Sequence, residues 1–199
     1  MKVIGLCGGS GSGKGVVCQL FQELGIPFID TDAVYRELTS SYGPTLKALS
    51  EEFGREIITE DNTLNRKALA DIVFSGEGSE KRLKRLNEIA HKFILDETRR
   101  RLSEFAESGA VASIVDAPVL FESGFDKECN AVVCVIANRD IRLQRVTLRD
   151  GISTEEAERR IASQMSDETL IERCDFVIEN NSDIHSLRKQ VKSVIEALT

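Results

Sequence analysis

Val3-Ile4-Gly5-Leu6-Cys7-Gly8-Gly9-Ser10-Gly11-Ser12-Gly13-Lys14-Gly15 carries an apolar, strand-like run straight into a glycine-rich turn. The residues that follow, Val16, Leu20, Phe21 and Leu24, recur at helical spacing. Strand, glycine loop and helix in that order, with G-x-x-x-x-G-K at Gly8 to Lys14, form a phosphate-binding loop. Glycines let successive backbone N–H groups turn inward on phosphate oxygens, and the helix presents its positive end to them. Lys14 reaches the β- and γ-phosphates of a nucleoside triphosphate. The position after the lysine normally carries a hydroxyl for Mg²⁺, and here it is Gly15, followed by Val16.

The rest of the chain bounds what that loop serves. At 199 residues it is one domain or a core with insertions. A net charge of −7 argues against nonspecific nucleic-acid binding, so basic groups are expected to be local and aimed at a small anion. No apolar run approaches the roughly 20 residues of a membrane span, and the first residues lack the order of a signal peptide. The five cysteines, 7, 18, 129, 134 and 174, form no C-x-x-C pair. They point to reduced thiols in a cytoplasmic protein rather than to disulfides or a zinc site. An acidic surface and ordinary composition fit a monomer.

Apolar, β-branched runs at Val3–Cys7, Pro27–Ile29, Ala112–Val115, Ala131–Ile136 and Phe176–Ile178 alternate with helical stretches. That alternation predicts an α/β fold with a five-stranded parallel sheet flanked by helices. The expected core is 1–30, 110–138 and 174–199, within a single domain. A helical insertion over 31–109 is expected to bind a second substrate. Within it Leu83, Leu86, Ile89, Phe93 and Ile94 keep helical spacing. A lid over 139–173 is expected to hold two helices joined at Asp150-Gly151, the second opened by a capping box, Ser153-Thr154-Glu155-Glu156. A plain helical hairpin is the alternative reading of that stretch.

Ligands in such sheets bind beyond the carboxyl ends of the strands, so the polar residues there are the candidates for chemistry. Asp30 and Asp32 stand where the second strand passes into a helix. Capping and the helix dipole explain one acid, but two at this place favour a functional carboxylate for orienting an acceptor hydroxyl, Asp32 before Asp30. Asp116 ends the third strand in the arrangement of a Walker B acid and is the candidate Mg²⁺ anchor, given Gly15. Arg139, Arg142, Arg145 and Arg149 form a cationic stripe, read either as a solvated face or as charge stabilisation for a transferring phosphoryl group. His91 lies mid-helix, where a structural role is the usual one. Asn180 and Asn181 mark a turn, or an amide beside a nucleotide base.

Taken together, Gly5 to Lys14, Asp30-Thr31-Asp32-Ala33 and Asp116-Ala117-Pro118-Val119-Leu120-Phe121-Glu122 resemble the dephospho-coenzyme A kinase family, of P-loop kinase fold. The likeness continues through Arg142-Leu143-Gln144-Arg145, Arg149-Asp150, Glu156-Ala157, Arg160-Ile161, Gln164 and Cys174 to Asn180, and so spans nearly the whole chain. It implies transfer of the ATP γ-phosphate to the ribose 3′-hydroxyl of dephospho-coenzyme A, the last step of coenzyme A synthesis. It implies Asp32, Lys14, Arg142 and Arg145 as catalytic groups. Gly9, Ser10, Gly11, Ser12, Gly13, Lys14, Gly15, Val16, Arg149 and Asn180 would contact ATP. Asp30, Asp32, His91 and Asp116 would contact the acceptor, and Asp116 the Mg²⁺. The family usually has His-Pro where this chain has His91-Lys92, and Gly-Lys-Ser-Thr where it has Gly13-Lys14-Gly15-Val16. The competing readings are a nucleoside or nucleoside-monophosphate kinase and a nucleotide-binding sensor without catalysis.

Overall fold

A computed structural model describes residues 1–198. Its five strands are β1 (Lys2–Cys7), β2 (Phe28–Asp30), β3 (Ala112–Asp116), β4 (Ala131–Ile136) and β5 (Phe176–Glu179), all parallel, in the order β2-β3-β1-β4-β5. The three inner strands, β3, β1 and β4, are buried on both faces and must be apolar almost throughout, which is why they read as continuous runs; the edge strands β2 and β5 are only partly buried. β2 begins one residue later than expected. Pro27 has no N–H to give a ladder; its carbonyl instead accepts from Ile114 N at 2.9 Å and Ser113 Oγ at 3.2 Å.

The helices are α1 (Lys14–Glu23), α2 (Thr31–Leu38), α3 (Pro44–Phe53), α4 (Arg66–Phe74) and α5 (Ser79–Glu107), then α6 (Arg139–Asp150), α7 (Thr154–Ala162), α8 (Asp167–Arg173) and α9 (Ile184–Leu198). No described helix is long and apolar enough to cross a membrane. On one sheet face Ile4, Leu6, Val133 and Val135 pack with Val17, Leu20 and Phe21 of α1 and Leu187, Val191 and Val194 of α9. Each such side chain contributes about 1.5–3 kcal/mol when fully buried. The alternate residues point to the opposite face. There a Cβ on Gly5 would press on Leu120 and Cys129, and α8 lies against β4.

The chain divides into two compact units. One holds residues 1–30 and 102–199, with the whole sheet; the other holds 31–101. The second has its own core of Leu46, Leu49 and Phe53 from α3, Leu69 and Val73 from α4, Ile57, and Ile89 from α5. Asn65 caps α4, its Oδ1 accepting from Ala68 N at 3.1 Å. α5 takes in the whole amphipathic stretch expected from Leu83 to Ile94.

Three helices, not two, fill the stretch 139–173. α6 ends at Gly151, which is left-handed with φ 64°, and α7 opens with the expected reciprocal capping box of Ser153 and Glu156. The third helix, α8, starts because Ser166 accepts from Thr169 N at 3.3 Å, a cap that was passed over in the sequence.

Candidate active site

β1 is the middle strand, and the chain leaves it toward β2 on one side and later toward β4 on the other. The crevice at such a reversal is where open α/β sheets bind ligands, and Gly8–Lys14 fills it. Gly8, Gly11 and Gly13 have φ of 148°, 80° and 93°. A Cβ would strike the Val135 carbonyl at Gly8, the Arg142 backbone at Gly11 and the Asn180 amide at Gly13. The loop is therefore a cradle that only glycine can form here. Ser12 N donates to Gly9 O at 3.1 Å, and Lys14 Nζ donates back to Gly8 O at 2.9 Å. α1 has no side-chain cap and no acid in its first turn, so its positive end is left for an anion. The buried Ser12 Oγ has no hydrogen-bond partner among the described residues. These features fit a polyphosphate.

Two arginines hold the loop from outside. Arg142 is 5% exposed; its Nε donates to Ser10 O at 3.0 Å and its NH1 to Asp167 Oδ1 at 2.8 Å. Its NH2 is buried without a hydrogen-bond partner among the described residues, at the spot a Cβ on Gly9 would need. Arg145 donates to the carbonyls of Gly11 at 3.2 Å, Ser12 at 3.4 Å and Asn180 at 3.2 Å. The Asn180 amide donates to Ser12 O at 2.8 Å, and its backbone N to Ile136 O at 2.8 Å. Gln164 closes the ring, accepting from Ser10 N at 2.8 Å and donating to Ser10 Oγ at 3.0 Å.

The stripe thus separates into two kinds of arginine. Arg142 and Arg145 meet the phosphate loop, whereas Arg139 pairs with Glu158 at 2.7 Å and Arg149 with Asp150 at 2.7 Å, both largely exposed. The neighbouring Arg149 guanidinium holds the Asp150 carboxyl below its usual range. The acids that answer these cations come from other helices or from the helix end, so spacing along α6 did not reveal them. Asp167 is the group that sequence reasoning missed. Its signal was its place directly after the Ser166 cap, at the start of α8.

Asp30 and Asp116 are cross-strand partners at the carboxyl ends of β2 and β3, with Leu6 opposite Asp116 on the other side. Cys18 donates to Asp116 Oδ2 at 3.8 Å. Burial first, then the charge of Asp116, pushes the Cys18 thiol far up; nearby Lys14 works against the shift and Asp30 adds to it. Lys14, Asp30 and Asp116 therefore share one electrostatic neighbourhood around Cys18. No group of three or more ligating side chains exists among the described residues. A divalent ion here would draw on one carboxylate, waters and phosphate oxygens, which is the Mg²⁺ habit. Gly15 has open space where a side chain would stand. A cleft of about 260 Å³ adjoins the loop, lined by Cys7, Gly9, Pro118, Phe121, Gln164 and Leu170 among others. The Arg173 guanidinium lies 3.8 Å from the centre of the Phe121 ring.

In the other unit, Asp32 is exposed in the first turn of α2, and His91 is half-buried in α5. His91 stands two residues beyond the core residue Ile89.

A family model described as dephospho-CoA kinase matches residues 2–186. A protein of Syntrophotalea carbinolica called dephospho-CoA kinase is 37% identical over 198 residues, covering 100% of this chain and 92% of that one. Among solved structures, TT1252 from Thermus thermophilus superposes with a TM-score of 0.81 at 31% identity, covering 100% of this chain and 98% of that one. A dephospho-CoA kinase from Campylobacter jejuni superposes at 0.71 with 23% identity, covering 100% and 98%, and speaks for the fold alone.

Proposed function

The chain belongs to the dephospho-CoA kinase family of ATP-dependent transferases, and on that premise we propose that it moves the ATP γ-phosphate onto the ribose 3′-hydroxyl of dephospho-coenzyme A. The product is coenzyme A, and the protein acts as a cytoplasmic monomer. The observation that carries the reading is the glycine cradle braced by Arg142, Arg145, Gln164 and Asn180.

The acceptor oxygen attacks the γ-phosphorus while the bond to the departing ADP oxygen breaks, and the hydroxyl proton passes to the Asp32 carboxylate. Lys14 exchanges the Gly8 carbonyl for β- and γ-phosphate oxygens. Arg142, whose NH2 has no hydrogen-bond partner among the described residues, meets charge spread over the equatorial oxygens. Arg145 and Asn180 bind the Gly11 and Ser12 carbonyls and so hold the loop in its cradle shape. Asp116 would hold Mg²⁺, which would supply charge neutralisation for the transferring phosphate. Asp30 and His91 orient the acceptor, and Arg149 approaches the nucleotide when Asp150 releases it. The helical insertion 31–109 binds the acceptor, and 139–173 moves as a lid.

Purified protein with ATP, Mg²⁺ and a panel of dephospho-coenzyme A, AMP, other monophosphates and nucleosides tests this. Transfer confined to dephospho-coenzyme A is expected. Transfer to AMP in its place would overturn the reading, as would ATP binding with no transfer to any acceptor.

A further inference from the structure

Three thiols meet on the sheet face covered by α8. Cys7 ends β1 directly before Gly8, Cys134 is its register partner on β4, and Cys174 follows the last residue of α8. Cys7 Sγ and Cys174 Sγ stand 3.4 Å apart, and Cys174 also hydrogen-bonds with Cys134. All are free. Cys7 is 3% exposed but contributes to the wall of the cleft beside the phosphate loop, and Cys174 is partly exposed. Cys174 is therefore the thiol a small molecule meets first. A hydrogen bond with Cys134 lowers its pKa, but the Cys7 thiol and burial outweigh it and push the group up to about 12, so its attack is slow near neutral pH and quickens as the pH rises.

We propose that Cys7 and Cys174 form an oxidation site for low-molecular-weight disulfides, and that the Cys7–Cys174 disulfide switches the phosphate loop off. The Cys174 thiol loses its proton to solvent and its sulfur attacks the small disulfide, giving a mixed disulfide and one thiolate, which takes up a proton. Cys7, likewise deprotonated, attacks the Cys174 sulfur, and the second small thiol leaves. In sum, two protein thiols and one small disulfide become one protein disulfide and two small thiols.

The mechanical consequence follows from distance and position. A disulfide needs roughly 2.05 Å between sulfurs, so the pair must close by more than an ångström from 3.4 Å. That pull acts on the residue next to Gly8, whose carbonyl anchors Lys14 and where the Val135 carbonyl already stands in the place a Cβ would need. It acts at its other end on α8, whose first residue, Asp167, holds Arg142. Both supports of the loop are strained at once. Cys129, on the same face, contacts Phe125 O rather than the cluster and serves as a control.

The test is to incubate the full chain with glutathione disulfide, digest it after alkylation and map the cysteine peptides. ATP affinity and turnover are followed before oxidation, after it and after dithiothreitol. The expected product is a Cys7–Cys174 crosslinked peptide, with turnover lowered by at least about tenfold, as misplacement by an ångström can cause, and restored on reduction. Cys174→Ser is expected to keep its turnover under oxidant, while Cys129→Ser behaves as the parent protein. Absence of the Cys7–Cys174 peptide would overturn the proposal, as would a crosslinked protein with unchanged ATP affinity and turnover. Peptide mapping and ATP affinity do not involve an acceptor, so a failed acceptor assignment would leave this result standing and be told apart from it.

Discussion

At Gly15 the protein lacks the hydroxyl that a phosphate loop ordinarily offers to Mg²⁺, and nothing stands within 4 Å of where a Cβ would go. A serine therefore fits without moving a neighbour. It also replaces a helical glycine, which costs a helix about 0.5–1 kcal/mol relative to alanine. Gly15→Ser is expected to tighten Mg²⁺–ATP binding, by about tenfold if its hydroxyl makes one good contact to a charged partner, with Tm held or raised. Titration of nucleotide at several Mg²⁺ concentrations decides it; unchanged affinity at every concentration would mean that the ion is held away from this position. Asp32 is the other residue whose role is separable. Asp32→Asn keeps the shape of the first turn of α2 but cannot take a proton. The expected result is a kcat lower by about 10²- to 10⁴-fold, the usual weight of a general base, with ATP affinity unaltered. An unchanged kcat would reduce Asp32 to a helix-start residue.

Elements explain why some of this was legible in the sequence and some was not. The sheet was readable because its inner strands are buried on both faces and every strand is an apolar run bounded by glycine, proline or polar residues, so local composition carries the signal. The cradle was readable because glycines at fixed offsets have few other uses. The bracing was not: Asn180 reaches Ser12 across 168 positions, and Arg142 meets Asp167 from a separate helix. No periodicity within one helix encodes a partner on another. α8 was missed because its seven residues are too few to show a period, leaving only the Ser166 cap as a mark. Yet α8 supplies the acid that fixes Arg142, so Asp167→Asn is expected to lower kcat by about 10- to 100-fold through a misplaced guanidinium. Asp167→Glu should recover part of the loss. Urea unfolding of both variants separates this from a folding defect, and a kcat equal to the parent's would show that Arg142 needs no anchor. α5 makes a different kind of prediction. Hydrogen bonds from Arg100, assisted by Arg101, hold the Glu97 carboxyl down at about 2 from an ordinary 4.5, against the opposing effect of burial. Between those values the unfolded chain binds a proton that the folded one does not, so stability falls as pH falls through that window. Glu97→Gln is expected to flatten this acid limb in urea titrations, while an identical slope would place the acid sensitivity elsewhere.

On the scale of the whole molecule, the chain keeps two cores rather than one. The 1–30 and 102–199 unit contains every strand and the entire glycine loop with its braces; the 31–101 unit contains Asp32 and His91. Triphosphate binding should therefore stabilise the first unit directly. The glycine cradle exists only in the folded state, so ligand in excess pulls the folding equilibrium by mass action. At a hundredfold excess over Kd the gain is about 2.7 kcal/mol. For a chain of this size each kcal/mol moves Tm by about 2–4 °C, so a rise of about 5–11 °C is expected with Mg²⁺–ATP. Lys14→Met should remove most of that rise at the same ATP concentration without lowering the Tm of the free protein, because among the described residues the Lys14 amine hydrogen-bonds to a loop carbonyl alone. Hydrogen exchange supplies the spatial check, with added protection expected across 8–18 and 139–146, where the loop and its arginine helix lie. A full thermal shift in Lys14→Met, or protection confined to 31–101, would show that the triphosphate is held somewhere other than the glycine cradle.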